Sequence, residues 1–210
     1  MKVKVCGITG YRDAAMALDL GADALGFNFY PGSPRFVAPA SARAVIRRLP
    51  PLTTTVAVFV NEPDPAGLER AARLAGVNCL QLHGDEPPEY CHALSHWKVI
   101  KALRIAPGAR PRGISRYRVS ALLLDALDPS RYGGTGRALD WAALGSIRAS
   151  IPIILAGGLR AENVAEAVRA VRPYAVDVCS GVEKAPGKKD RAKLASFMRE
   201  VRDAERIIGI

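Results

Sequence analysis

Ile151-Pro-Ile-Ile-Leu-Ala-Gly-Gly-Leu159 is an apolar run closed by two glycines. A helical pattern follows it, then Ala175-Val-Asp-Val-Cys-Ser-Gly-Val-Glu183 and Pro186-Gly-Lys-Lys-Asp190. The order is strand, glycine turn, helix, strand and second turn. Glycines just past a strand let backbone N–H groups approach a ligand closely, and the partial positive charge at a helix N-terminus favours an anion there. Two such turns side by side, at Gly157-Gly158 and Ser180-Gly181, predict a phosphate cradle. In a (β/α)₈ barrel phosphate sits on the loops after strands 7 and 8. The reading therefore requires six similar units upstream.

Working back from this stretch, the chain supplies them. Strand candidates are Lys2 to Cys6, Ala24 to Phe27, Thr55 to Phe59, Cys79 to Leu82, Lys98 to Ala102, Ala121 to Asp125, Ile153 to Ala156 and Ala175 to Cys179. Most are short continuous apolar runs, as expected of parallel strands covered on both faces. Helical patterns span Arg12 to Leu20, Ser41 to Leu49, Pro65 to Ala75, Pro87 to Ser95, Trp141 to Ala149, Ala161 to Ala170 and Asp190 to Arg206. Regular alternation of this kind predicts an α/β fold, and eight units predict a single closed (β/α)₈ barrel over residues 1–210. Between strands 5 and 6 lies Ala106-Pro-Gly-Ala-Arg-Pro-Arg-Gly-Ile-Ser-Arg-Tyr-Arg118, whose prolines and glycines oppose a regular helix. A loop or at most a short turn is expected there, leaving the fifth helix irregular or missing.

The 210 residues, 49% of them hydrophobic, lie near the lower limit for such a barrel. No apolar run approaches the roughly 20 residues of a membrane span, and Met-Lys-Val-Lys-Val-Cys-Gly leads into a strand rather than a signal peptide. Four cysteines without CxxC or Cys/His ligand spacing argue against a structural zinc or a disulfide framework, so no metal and a reducing, cytoplasmic setting are expected. The formal charge of +10 is spread along the helices, which suits attraction of small anionic substrates. Nucleic-acid binding would call for aromatics interleaved in a basic stripe; the chain is 6% aromatic and has no such stripe.

Active sites of such barrels lie at the C-terminal ends of the strands. Polar residues there are Cys6, Asn28 with Arg35, Asn61, Gln81 with His83, Lys101 with Arg104, Asp125, Gly157 and Gly158, and Asp177 with Ser180. Together they are expected to ring one mouth. Cys6 has two readings: a small core residue, or a thiolate favoured by nearby cations that acts as base or nucleophile. Asp125, after three leucines, is expensive as an unpaired buried charge, which points to a functional or capping role. Arg35, in the proline-stiffened Phe29-Tyr-Pro-Gly-Ser-Pro-Arg-Phe36, is either a surface arginine or a two-bond fork for a carboxylate. His83 shuttles a proton or hydrogen-bonds its loop. Tyr132-Gly-Gly-Thr-Gly136 is a glycine-rich loop that matches neither the dinucleotide fingerprint nor the P-loop.

These motifs, in this order, resemble the phosphoribosylanthranilate isomerases of tryptophan biosynthesis. The resemblance runs through Val5-Cys-Gly-Ile-Thr9, Gly26-Phe-Asn-Phe-Tyr-Pro-Gly-Ser-Pro-Arg-Phe36, Val58-Phe-Val-Asn-Glu62, Leu80-Gln-Leu-His-Gly-Asp-Glu86, Leu124-Asp-Ala126, Gly133-Gly-Thr-Gly136, Leu155-Ala-Gly-Gly-Leu159, Val176-Asp-Val-Cys-Ser-Gly-Val-Glu183 and Pro186-Gly-Lys-Lys-Asp190. It implies a cofactor-free barrel with an irregular fifth helix region, acting as monomer or homodimer on a small phosphorylated substrate. The implied reaction is an Amadori rearrangement with Asp125 as general acid and Cys6 as general base. The same resemblance places Arg35 on the anthranilate carboxylate and the turns at Gly157-Gly158 and Ser180-Gly181 on the phosphate, with Asp177 and His83 lining the site. Gly32, Arg137 and Cys179 stand where Lys, Lys and Ser are expected in many members. An aminoimidazole carboxamide ribotide isomerase, which performs the same rearrangement, would carry carboxylates at both catalytic strand ends, and Cys6 opposes it. Indole-glycerol phosphate synthase would carry a lysine acid and an extra N-terminal helix.

Overall fold

Parallel strands covered on both faces still leave two open edges unless the sheet closes, and here the eight strands pair in a ring. The computed structural model describes residues 1–106, 108–111, 113–126, 141–144 and 150–209. Strands β1 (Lys2–Val5), β2 (Ala24–Asn28), β3 (Thr54–Phe59), β4 (Cys79–Leu82), β5 (Lys98–Ile105), β6 (Ala121–Ala126), β7 (Ile153–Leu155) and β8 (Ala175–Val178) form a closed barrel in sequence order. Closure comes from β1 against β8, in register from Lys2 opposite Ala175 to Val5 opposite Val178. Helices α1 (Tyr11–Asp19), α2 (Pro39–Ile46), α3 (Pro65–Ala75), α4 (Pro88–Ala93), α5 (Trp141–Leu144), α6 (Ala161–Val171) and α7 (Arg191–Ile208) follow the strands. The expected bounds of these elements hold to within a few residues at each end. The expected helix to Ala149 and the loop at Tyr132-Gly-Gly-Thr-Gly136, with Arg137, lie outside the described residues.

Local chemistry sets several helix ends. Asp64 accepts from the Ala66 amide at 2.9 Å, Pro65 opens α3, and Gly76 closes it at φ 77°. Asp190 accepts from the Lys193 amide at 3.0 Å and caps α7. Between β5 and β6 the described residues hold a single 3₁₀ turn, Ile114–Arg116, where prolines and glycines predict no regular helix. One element was not expected: after β8 a 3₁₀ turn at Ser180–Val182 leads into a two-stranded hairpin, β9 (Glu183–Ala185) with β10 (Lys188–Lys189), turned at Gly187 with φ 72°.

Strand alternation divides the core in two. Outward residues such as Val5, Leu25, Leu80, Leu124 and Val176 pack against the helices. Inward residues Val56, Cys79, Ile100, Ala102, Ala121, Leu123, Ile154 and Ala175 fill the barrel as a second apolar cluster. Two residues further along their strands, the same inward rows reach Gln81, Asp125 and Asp177. The barrel thus has a dry floor and a polar upper end.

Candidate active site

A cavity of about 790 Å³ opens at the C-terminal ends of the strands. Among the expected residues, Cys6, Asn28, Arg35, His83, Asp125, Gly157, Gly158, Asp177 and Ser180 line it. Asn61, Gln81, Lys101, Arg104 and Gly181 do not; they support the residues that do. The expected ring is corrected accordingly: Gln81 and Lys101 are buried beneath it, and Asn61, Arg104 and Gly181, which are not buried, sit beside its lining in contact with neighbouring loops. Lys101 and Glu86, both almost fully buried, pair at 2.7 Å, and Lys101 also donates to the Gly84 carbonyl at 2.8 Å. Glu86 accepts from the Asn61 amide at 2.8 Å and from the Gly84 amide, which knits the loops after β3 and β4 together. Arg104 pairs with Asp85.

His83, at the end of β4, is oriented from behind by Gln81. The Gln81 amide nitrogen faces Nδ1 at 2.7 Å, and Nε2 meets Asp125 Oδ2 at 3.0 Å. The other Asp125 oxygen accepts from the Ala126 amide at 2.9 Å. A carboxyl continuing the inward row above Leu123 is thus held by two contacts yet still faces the cavity.

The β1 and β8 side carries the opposite arrangement. Register partners Lys4 and Asp177 form a buried ion pair at 2.9 Å. Burial pushes the Asp177 carboxyl up to about 6, with Lys4 opposing the rise. Burial alone would lower the Lys4 pKa, but Asp177 and Cys6 outweigh it and raise the ammonium above its ordinary value. One layer up sits Cys6. A hydrogen bond from Cys179 holds its thiol well below the ordinary range, aided by the positive charge of Lys4 and Lys189 and opposed by burial. Gly26 provides the room: a Cβ there would lie 2.8 Å from the Cys6 sulfur.

Arg35 is presented by a loop that Asn28 and Ser33 shape. Asn28 Oδ1 accepts from the Tyr30 amide at 2.9 Å, Asn28 Nδ2 donates to Ser33 Oγ at 3.0 Å, and the Arg35 amide donates to that oxygen at 3.1 Å. The guanidinium does not stand alone. Its Nε and Nη2 grip Glu183 at 2.7–3.0 Å, and Lys189 Nζ reaches Glu183 Oε1 at 2.9 Å. Arg35 and Lys189 hold the Glu183 carboxylate below its usual range against the effect of burial. Gly32 lies beneath Tyr30, where a Cβ would come within 2.7 Å of the ring. A side chain at this position requires that ring to move.

The two glycine turns meet. Gly157 and Gly158 adopt φ 82° and 64°, the left-handed region that glycine enters without a Cβ clash. A Cβ on Gly181 would lie 2.0 Å from the Leu159 carbonyl oxygen, so the β8 turn packs directly on the β7 turn. Asn163 braces the pair: its Oδ1 accepts from the Arg160 amide at 2.9 Å and its Nδ2 donates to the Gly158 carbonyl at 3.0 Å.

Lys4, Asn163, Glu183 and Lys189 carry much of this geometry and were not singled out from sequence. Lys4 had a signal: it shares the inward face of β1 with Cys6, and a lysine inside an apolar strand calls for a buried partner.

The family model for N-(5′-phosphoribosyl)anthranilate isomerase matches residues 3–200. The N-(5′-phosphoribosyl)anthranilate isomerase of Pelobacter propionicus is 50% identical over 199 residues, 95% of this chain and 94% of the relative. The crystal structure of the Thermus thermophilus phosphoribosyl anthranilate isomerase superposes with a TM-score of 0.88 at 43% identity, covering 97% of this chain and 99% of that one. A phosphoribosyl anthranilate isomerase in complex with reduced 1-(o-carboxyphenylamino)-1-deoxyribulose 5-phosphate superposes with a TM-score of 0.81 at 37% identity, covering 97% and 99%. The chain belongs to the N-(5′-phosphoribosyl)anthranilate isomerase family.

Proposed function

We propose that this chain converts N-(5-phosphoribosyl)anthranilate to 1-(2-carboxyphenylamino)-1-deoxyribulose 5-phosphate, the third step of tryptophan biosynthesis from chorismate. The carrying observation is that a cysteine whose thiol is held in a cationic pocket and a carboxyl at the end of β6 open on one cavity beside a double glycine turn. Two strands separate β6 from β1 in the ring, so acid and base approach a bound substrate from different sides.

In this reading Asp125 gives a proton to the furanose oxygen as the C1′–O bond breaks, and the anthranilate nitrogen stabilises the resulting iminium. The Cys6 thiolate then removes the C2′ proton, giving an enolamine that tautomerises to the ketone. Each transfer is a general acid–base step worth about 10² to 10⁴ in rate. Proton transfers suffice, so the mechanism calls for no cofactor. His83 holds Asp125 in place through their 3.0 Å contact. Arg35 receives the anthranilate carboxylate on Nη1 and the outer hydrogen of Nη2, because Glu183 occupies the Nε edge. The amides of Gly157, Gly158, Ser180 and Gly181 receive the phosphate. A cytoplasmic location agrees with four cysteines that are all free thiols.

The test is direct. Purified protein is added to chemically generated phosphoribosylanthranilate and the fall in substrate fluorescence is followed. Turnover at catalytic protein concentrations is the expected result. A flat trace would overturn the assignment.

A further inference from the structure

Lys101 stands behind the mouth rather than on it. Ile100 and Ala102 point into the barrel, so strand alternation turns Lys101 to the outer face of β5, where it is 1% exposed. Its register partner is Leu82, the last residue of β4, while β5 runs on to Ile105. Past that pair the ammonium takes over from the ladder. Nζ donates to the Leu82 carbonyl at 3.4 Å, to the Gly84 carbonyl at 2.8 Å and to Glu86 Oε2 at 2.7 Å, so its three hydrogens meet three acceptors. Leu82 and Gly84 are the residues on either side of His83.

We propose that Lys101 is a positioning residue for the acid: by gripping the backbone on both sides of His83 it sets where the imidazole stands, and through the 3.0 Å contact of Nε2 with Asp125 Oδ2 it sets the aim of the carboxyl. The inference rests on the reading of Asp125 as general acid.

The other ties of this segment run the opposite way, towards β3. The His83 amide donates to the Phe59 carbonyl at 2.8 Å, the Asp85 amide donates to Asn61 Oδ1 at 2.6 Å, and Glu86 accepts from the Asn61 amide at 2.8 Å. Asp125 lies on the far side, on β6, and β5 is the strand between. Register sets Leu122 opposite Lys101 and Asp125 opposite Arg104, so β5 is the frame to which the acid is fixed. Lys101 ties the His83 segment to that same frame. Arg104 adds a pair with Asp85 from β5, but Asp85 is largely exposed and such a pair is worth little in water. Stability alone does not account for a buried lysine here. Taking Lys101 and Glu86 out of water costs free energy that a well-packed apolar pair of the same volume would not. What the charge adds is direction: a compact cation draws three oxygens to one centre, which an apolar side chain filling the same space would not do.

The test is kinetic. Lys101→Met keeps the stem and removes the ammonium; Lys101→Met/Glu86→Gln removes both charges together, so that no buried carboxylate is stranded. Each should lower kcat by about tenfold to hundredfold, since a displacement of about 1 Å costs on the order of 10²-fold. Affinity for the reduced product analogue and the inhibition constant for inorganic phosphate should hold, because those contacts come from the loops after β2, β7 and β8. His83→Ala supplies the second arm: in that background Lys101→Met should cost nothing further in kcat, because the residue through which it acts is gone. A fall in Tm with kcat unchanged would make Lys101 a purely structural lysine and overturn the proposal. So would a kcat loss matched by equal losses of analogue and phosphate binding, or kcat losses for Lys101→Met and His83→Ala that multiply in the double variant. If Asp125→Asn retains wild-type kcat while the losses at Lys101 and His83 still fail to multiply, Lys101 remains the holder of His83 and it is the reading of Asp125 as acid that falls.

Discussion

Gly181→Ala tests the phosphate cradle at the point where its two turns touch. An added Cβ would lie 2.0 Å from the Leu159 carbonyl oxygen, against 3.4 Å for ordinary contact, so the turns must separate by 1.4 Å. Both neighbours are backbone, and the Leu159 carbonyl carbon at 3.0 Å blocks the simplest sideways escape. Misplacing a binding group by about 1 Å costs on the order of 10²-fold. The KM for substrate and the inhibition constant for inorganic phosphate should therefore rise together by about tenfold to hundredfold, with kcat changing less. Overpacking of this kind costs about 1–3 kcal/mol, and in a chain of this size each kcal/mol lowers Tm by about 2–4 °C, so a fall of roughly 2–12 °C should accompany it. Gly76→Ala is the control: Gly76 needs a left-handed φ of 77°, which Gly181 does not, but a Cβ there meets nothing within 4 Å and lies outside the cavity. It should lose stability and keep its phosphate inhibition constant. Steady-state kinetics with phosphate as competitor decide the matter. A Gly181→Ala protein with unchanged phosphate inhibition would refute the cradle.

Two further outcomes follow from the buried charges. Glu183→Gln leaves Arg35 and Lys189 facing a neutral amide; breaking such a pair costs about 3–5 kcal/mol, so Tm should fall by roughly 6–20 °C and KM should rise as the Arg35 fork loses its anchor. Unchanged Tm and KM would mean that Glu183 anchors nothing. Asp177, raised to about 6 from a reference near 3.9, holds its proton more tightly folded than unfolded. Its contribution to stability is full below about pH 4 and declines as pH rises through 6, so Asp177→Asn should remove that downward component from a plot of Tm against pH. Parallel wild-type and variant curves across that window would contradict the shift.

The barrel was legible because inward and outward rows obey strand alternation, and runs such as Ala121-Leu-Leu-Leu-Asp125 show where apolar filling gives way to a polar end. The break after β5 was legible from proline and glycine chemistry, and the paired glycine turns from what glycine permits. The partners of the site residues were not. Arg35 and Glu183 lie 148 residues apart, and their contact depends on a hairpin folding back over the mouth, which Pro186-Gly-Lys-Lys-Asp190 signals only as a turn. That Cys6 and Cys179 end neighbouring strands is likewise a consequence of β1–β8 register, and local pattern does not specify register between the first and last strands of a ring. Gln81, a polar residue at the C-terminal end of a strand, is expected at the mouth; it lies one layer deeper, fully buried, and acts on the ring from behind.

The central claim is that Cys6 and Asp125 supply chemistry rather than binding. It is tested by measuring kcat for Cys6→Ser and Asp125→Asn beside their affinity for the reduced product analogue. The account predicts that each kcat falls by about 10² to 10⁴ while the analogue binds as tightly as it does to the unaltered protein. Either variant retaining wild-type kcat, or losing activity only in proportion to lost affinity, would contradict it.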